Sequence, residues 1–378
     1  MPISPEKRLK IVQLAAPVEA GGAERVIEAL AVGHHRRGHD VTVGTLLLDR
    51  GDEHPFVKRL RSFGVRVHPI RVRSRGYRRE RQEVSALCRD LRPDVVHFHG
   101  YRLEIVDRPV VTRLGIPTVT TMHGFNNSQG GLKDRLIVWL QRRNYRRFDA
   151  IIPVSRSLFD QVSAEGLGSD KAHLIPNAWS GFQEPLPRAE ARRELGLDED
   201  ASVIGWVGRL FAVKGGDVFL RALSHLPRPR PVAAMVGYGP EADRLTGLAK
   251  DLGLTDDVRF YPHIRNAGRY FRAFDTFVLS SRFEGLPIVL FEAMAARTPI
   301  VATRVGGIPD AVGEGEAWLV PPEQPSALAT AISDSLQDRA SAATRVENAS
   351  NRLENEFSLE TFLDRHERVY ERLVRPRR

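Results

Sequence analysis

The residues best suited to chemistry crowd the second half of this sequence. "WVGRLFAVKGGD" places Gly208, Arg209 and Lys214 after a Val/Ile-rich run and ahead of an amphipathic one. Two cations in such a turn, beside free backbone N–H groups and the positive end of a helix, form an anion site suited to a diphosphate. The spacing is not that of a P-loop, which needs G-x-x-x-x-G-K-[ST]. Downstream, "SSRFEGLPIVLFEAMAARTPIVATRVGG" (280–307) holds Glu284 and Glu292, eight positions apart. Glu284 falls in the exit loop of a strand. Glu292 lies over a turn into a helix that Pro287 would open. That offset argues against a matched acid–base pair on one surface. An ionised carboxylate only accepts hydrogen bonds, and vicinal hydroxyls supply two donors. Such charge-assisted bonds contribute about 1.5–3 kcal/mol each. Two cations with two carboxylates therefore read as grips on a nucleoside diphosphate that carries two polyols, a ribose and a sugar. Glu292 by itself reads equally as a solvated helical residue.

Other residues carry weaker signals. "VGYGPEADRL" sets Gly237 and Gly239 after a strand, as a tight turn or a ligand contact. "PVEAGGAERV" sets Gly21 and Gly22 between the first strand and its helix, where glycine lets backbone approach a ligand or simply makes the turn. "TTMHGF" sets His123 at a strand end, to touch a sugar hydroxyl, shape the field or serve the core. "HFHG" puts His97 and His99 on one strand face, a metal-ligand spacing without a third ligand. "DED" (Asp198, Glu199, Asp200) has the look of an acidic metal motif but reads better as a solvated loop. "LIPNAW", with Pro176 and Asn177, marks the way to a linker.

These residues need strands that end beside helices. "KIVQLAAP", "HDVTVGTLLL", "GVRVHPIRV", "PDVVHFHG", "PTVTTMHG" and "DAIIPVS" are apolar runs of the kind buried on both faces of a sheet. Amphipathic segments between them imply βαβ units and a parallel sheet. A polar, Pro- and Gly-rich stretch near 178–200 interrupts the series. It then resumes with "SVIGWVGRL", "RPVAAMVGYG", "DVRFYPHI", "DTFVLSS", "PIVATRVGG" and "AWLVPP", and closes on the helical "LETFLDRHERVYERLV". The class is α/β, with two Rossmann-like domains facing across a cleft. The motifs should gather at the carboxyl ends of the strands.

Length agrees, since 378 residues exceed twice a typical domain. One cysteine, Cys88, excludes an internal disulfide framework, and its helical surroundings make it a buried, inert thiol. No apolar run approaches the roughly 20 residues of a membrane span. The charged start lacks the apolar stretch of a signal peptide, so the expected setting is the cytoplasm. The net charge of +9 is uneven, with residues 1–182 at +11. "RVRSRGYRRERQ" holds Arg71, Arg73, Arg75, Arg78, Arg79 and Arg81 against Glu80. Such a patch attracts a membrane surface, a pyrophosphate-bearing lipid or nucleic acid, or is a solvated arginine-rich loop.

Taken in order, these pieces resemble the family-4 retaining glycosyltransferases of the GT-B fold. The matching stretches are GGAERV (21–26), PDVVHFHG (93–100), TTMHG (120–124), IPN (175–177), GR-x4-KG (208–215), GYGP (237–240), the E-x7-E stretch (284–292) and VGG-x-P-D (305–310). Any one is weak; the ordered set, spanning residues 9–320, is specific. The resemblance implies an N-terminal acceptor domain, 1–182 plus a returning helix near 359–378, and a nucleotide-sugar domain, 183–358. It implies that Arg209 and Lys214 stabilise the departing diphosphate and that Glu292 holds the ribose. Glu284, with the amides of Gly285, Leu286 and Pro287, would grip the donor sugar, with His123 alongside. Gly21 and Gly22 would approach the donor from the facing domain, and the region of His263 and Ile264 would pass the base. Gly208 and Gly237 would belong to the donor site. No metal or other cofactor is implied, and front-face substitution lets the leaving phosphate take the acceptor's proton. Two departures stand out. Ala178 replaces the usual Gly after IPN, and "EGLP" replaces a longer Phe-Gly-Leu-Pro form. The shorter form resembles transferases of surface polysaccharide assembly, most of which use UDP-sugars. The implied partners are a nucleoside-diphosphate sugar, UDP-linked by preference, and a glycan or lipid-linked acceptor at the cytoplasmic membrane face, without nucleic acid.

Three other activities stay open on sequence. A nucleotide-sugar epimerase shares this fold. A Rossmann dehydrogenase would need G-x-G-x-x-G after the first strand, which "APVEAGGAERV" lacks. A nucleic-acid binder would use the basic half and would leave Glu284 without a role.

Overall fold

The structure, a computed structural model, describes residues 8–17, 21–48, 54–124, 132–181, 184–262, 264 and 266–374. Contacts divide the chain into two units, Met1–Ala178 with Leu359–Arg378, and Trp179–Ser358. The division falls between Ala178 and Trp179, against the 182/183 boundary expected.

In the first unit, strands β1 (Lys10–Ala15), β2 (Asp40–Leu47), β3 (Arg66–Arg71), β4 (Val95–His99), β5 (Thr118–Met122) and β6 (Ala150–Pro153) form one sheet in the order β3-β2-β1-β4-β5-β6. Every pairing is parallel. β4 and β5 are buried at all positions, as apolar runs without polar alternation require. One face of β4 is nonetheless polar. His97 and His99 share it, their rings 4.2 Å apart, and β1 sets Gln13 beside His97. The Leu359–Val374 helix belongs to this unit. Tyr370 from that helix places its hydroxyl 2.7 Å from His97 Nδ1, and Arg37 bonds Asp364 at 2.7 Å and Glu367 at 3.0 Å. Cys88 is buried, and burial pushes its thiol up to about 12, so it is inert as expected.

The arginine-rich stretch is only partly a loop. Arg71 ends β3, but Tyr77–Leu91 is helical, so Arg78, Arg79 and Arg81 stand on a helix. Glu80, buried and bonded by Arg102, anchors its first turn. The apolar period of Val84, Leu87 and Cys88 carries the helix further toward the N-terminus than the run of arginines suggests.

The second unit repeats the plan. Strands β7 (Val203–Val207), β8 (Val232–Val236), β9 (Val258–Tyr261), β10 (Thr276–Leu279), β11 (Ile300–Thr303) and β12 (Trp318–Val320) pair in parallel in the order β12-β11-β10-β7-β8-β9. Trp206, Phe219, Phe277 and Phe291 are fully buried around this sheet. Counted from its own first strand, each sheet runs 3-2-1-4-5-6, the doubly wound order. Its topological switch lies between β1 and β4 in one unit and between β7 and β10 in the other. Ligands of such sheets sit at the carboxyl ends of those strands.

Candidate active site

The loops leaving β7 and β10 flank the switch point of the second unit, and the two strongest sequence signals lie on them. Gly208 and Arg209 follow β7, and Ala212–Lys214 makes a single 3-10 turn before the Gly216–Ser224 helix. Arg209 is exposed, with its guanidinium 5.1 Å from the centre of the Phe211 ring. Lys214 reaches across to the β10 loop. Its ammonium donates to Glu284 Oε1 at 2.7 Å and Oε2 at 2.8 Å. Ser281 Oγ donates to Oε1 at 2.6 Å. Glu284 is 6% exposed, so its charge is held by partners rather than by water.

The backbone of Glu284 is fixed as firmly as its side chain. Its carbonyl accepts from Gly307 N at 3.1 Å. Gly306 has φ +51°, and a Cβ there would lie 1.9 Å from that carbonyl oxygen, so only glycine fits. This is the role of the VGG stretch. Three further bonds lock the loops together. Trp206 Nε1 donates to Ser280 Oγ at 3.0 Å, Ser280 Oγ donates to Gly215 O at 2.8 Å, and Thr303 Oγ1 donates to Ser281 O at 2.6 Å. Beside them Arg282 N donates to Val213 O at 2.8 Å. Its guanidinium forks onto Asp217 at 2.9 and 3.0 Å. Burial would raise the Asp217 pKa, but the Arg282 fork and Arg221 hold it down at about 2.

Glu292 stands in the Ile288–Ala295 helix, half-buried, with its carboxylate against the turn after β9. A Cβ on Gly268 would meet Glu292 Oε1 at 2.6 Å. Ile264 lies between β9 and that turn and is half-buried; His263 lies outside the described residues. Ile288, Leu290 and Phe291, between the two glutamates, are buried. Gly285, Leu286 and Pro287 are buried too. Pro287 caps the helix rather than opening its first turn, one residue earlier than expected. Gly237 has φ +155°, and a Cβ there would lie 1.8 Å from Gly208 O, so packing of the β7 and β8 loops requires this glycine.

In the first unit, Gly21 caps the Gly22–Arg36 helix with an extended φ of −157° that any residue adopts. His123 follows β5. Its Nε2 is buried without a hydrogen-bond partner, and burial lowers its pKa to about 4, so the ring is neutral. His99 lies beside it, ring centres 5.8 Å apart, with both nitrogens buried and unpartnered. His97 is committed otherwise, since Tyr370 and Thr121 occupy both its nitrogens at 2.7 and 2.8 Å. That removes the two-histidine metal reading. Among the described residues no group of three His, Cys, Asp or Glu stands together to hold a metal ion. The "DED" run is exposed, and the backbone carbonyls of Asp198 and Glu199 accept from Arg192. Sequence reasoning missed Ser281, Asp217 and Arg282. Only the doubled Ser after β10 hinted at the first of these.

Two doubly wound parallel sheets, with charged loops at the switch point of the second, define a two-domain GT-B fold. Family models match on both units. "Glycosyl transferase 4-like domain" covers residues 21–178, and "Glycosyl transferases group 1" covers residues 187–352. The chain belongs to the group 1 glycosyltransferases of the family-4 type. A D-inositol 3-phosphate glycosyltransferase of Acidothermus cellulolyticus is 32% identical over 60% of this chain and 56% of its own length. A 2-deoxystreptamine N-acetyl-D-glucosaminyltransferase of Streptomyces fradiae is 31% identical over 67% of this chain and 65% of its own. The chain thus spans less than two thirds of the length of these curated relatives. The crystal structure of Anabaena HepE in complex with UDP-glucose shares the fold, with a TM-score of 0.85 at 22% identity over 97% of this chain and 99% of that one.

Proposed function

We propose that this protein is a retaining, metal-independent glycosyltransferase that moves a hexose or N-acetylhexosamine from a nucleoside-diphosphate sugar, UDP-linked by preference, to a glycan or lipid-linked glycan of surface polysaccharide assembly. The observation that carries the reading is the Lys214–Glu284 pair, held at the switch point of the second unit with the exposed cation of Arg209 on the same loop as Lys214. The likeness to HepE, crystallised with UDP-glucose, supports UDP as the first nucleotide to test. In this reading Arg209 and Lys214 take the growing charge of the departing diphosphate, which is worth most where water is scarce. Glu284, already bound by Lys214 and Ser281, turns its remaining acceptor capacity to sugar hydroxyls. Glu292 holds the ribose, and the Ile264 stretch passes the base. The C1–O bond to the β-phosphate breaks while the acceptor oxygen bonds C1 on the same face. The acceptor's proton goes to the leaving phosphate oxygen. No side-chain base is needed in this reading.

The basic stretch of the first unit serves, in the same reading, to hold the protein on the anionic inner face of the cytoplasmic membrane, through Arg71, Arg73, Arg75, Arg78, Arg79 and Arg81. Among the described residues no helix is long and apolar enough to cross a membrane. The test is a screen of UDP-, GDP- and ADP-sugars by thermal shift, followed by NMR of the product anomer with the best donor. Stabilisation by a UDP-sugar and a retained anomeric configuration are expected. An inverted product, or conversion of the donor without an acceptor, overturns the reading.

A further inference from the structure

A groove of about 730 Å³ opens on the first unit between the Tyr77–Leu91 helix and the Arg108–Arg113 helix. At 100° per residue, positions 78, 82, 85 and 89 fall within an arc of about 60° on one face of the longer helix. That face supplies Arg78 and Arg89 to the groove, Arg81 joins them from about 40° beyond its edge, and the shorter helix supplies Arg113. The floor, with Val110 and Leu114, is apolar. Among the described residues, Arg78, Arg89 and Arg113 form no ion pair. Arg81 is aimed by its Nε, which donates to Val106 O at 2.9 Å. The carboxylates nearby offset the four guanidinium groups only in part, with Asp107 drawn to Arg81 alone among the four. Glu80 is buried and committed to Arg102. Asp107 is buried, and desolvation, then the charge of Glu80, raises its pKa. Arg79 and Glu83 pair on the next flank of the helix, at 3.6 Å.

We propose that this groove is a binding site for a phosphate or diphosphate ester, with the phosphate held among Arg78, Arg81, Arg89 and Arg113 and its organic part on the Val110–Leu114 floor. The argument is one of charge and shape. Four guanidinium groups on two helices repel one another, and an unpaired cluster of this kind is relieved by a ligand bearing several acceptor oxygens in forked geometry. The volume falls in the range of small-molecule sites and leaves room beside a phosphate for an organic part. A diffuse membrane patch would need neither Arg89 nor Arg113, which lie outside the 71–81 stretch. The site is independent of the donor loops and stands whichever sugar nucleotide the second unit takes.

The experiment uses the full chain carrying Arg209→Ala, which weakens the competing diphosphate site, and titrates inorganic pyrophosphate by calorimetry. Saturable one-to-one binding is expected. It should weaken at least tenfold in Arg113→Glu and in Arg89→Glu, and stay unchanged in Arg193→Glu, an equal charge change on the second unit. Phosphatidylglycerol vesicles that displace pyrophosphate identify a lipid headgroup as the source. Failure to displace it identifies a soluble phosphorylated ligand. Phosphatidylcholine vesicles serve as the neutral control. An absence of pyrophosphate binding, or binding indifferent to Arg89 and Arg113, overturns the site. Neither result touches donor turnover, which is read separately.

Discussion

At the scale of single residues, the site turns on Glu284 and its two forms of support. Lys214 and Glu284 lie 70 positions apart yet make two bonds, so their effects on turnover must be coupled. Lys214→Ala and Glu284→Gln should each lower kcat/KM on the order of 100-fold, the scale set by a lost charge-stabilising donor. The double variant should lose far less than the product of the two, because either change already breaks the pair. Initial rates with a UDP-sugar decide this, and fully multiplicative losses would show that the two act separately. The backbone support gives a second test. Gly306→Ala places a methyl against Glu284 O at a left-handed φ, so it must move the loop. A shift of about 1 Å in a positioning group costs roughly 100-fold, so kcat should fall while the fold persists. Wild-type kcat in Gly306→Ala would remove Glu284 from the chemistry. The types and spacing of Arg209, Lys214, Glu284 and Glu292 were legible in the sequence. That Lys214 bonds Glu284 was not, because no local spacing encodes a contact between the exits of two separate strands. The same holds for Ser281 and the Gly306 cradle.

At the scale of elements, apolar runs announced the strands, and hidden polar ones explain what periodicity could not show. The "HFHG" strand reads as a ligand motif, but its first histidine is a structural clasp for the C-terminal helix. Tyr370→Phe leaves a buried His97 nitrogen unpaired and should lower stability by about 1–3 kcal/mol in denaturant unfolding. The histidines around that clasp also set an acid limit. His34, His97, His99, His123 and His366 all have lowered pKa values, chiefly through burial, with His123 and His366 at about 4. The unfolded chain takes up protons near pH 6.5 that the folded chain refuses. Their stabilisation is therefore whole above 6.5 and is lost as pH falls toward 4. Glu104 opposes this. Burial, partly offset by bonds from Thr120 and Gln141, raises it to about 7, so the fold gains as it protonates. Asp107 acts in the same sense. Five groups against two leave a net loss of about 1.4 kcal/mol per pH unit for each proton in excess. The melting temperature should drop between pH 7 and pH 5. A flat or rising curve over that range would show that these rings are protonated in the fold.

At the scale of the whole molecule, the uneven charge is the property most plainly written in the sequence, and its partner is the least. Residues 1–182 carry +11 of a chain whose total is +9, so the second half does not share the attraction. A bilayer bearing anionic lipid attracts each surface arginine by about 1 kcal/mol. Arg73, Arg75 and Arg79 are exposed and stand apart from the groove lining. Reversing all three to Glu should therefore weaken binding to phosphatidylglycerol vesicles by about 100-fold or more. Glycosyl transfer to a soluble acceptor should continue, because these residues stand on the first unit and the donor loops on the second. The attraction should also fade between 0.05 and 0.5 M salt, since the screening length of exposed charges shrinks from about 14 Å to about 4 Å across that range. Co-sedimentation of wild type and triple variant across that series settles the matter. Vesicle binding that survives both the reversals and the salt would mean that apolar contact, not the basic face, brings the protein to the membrane.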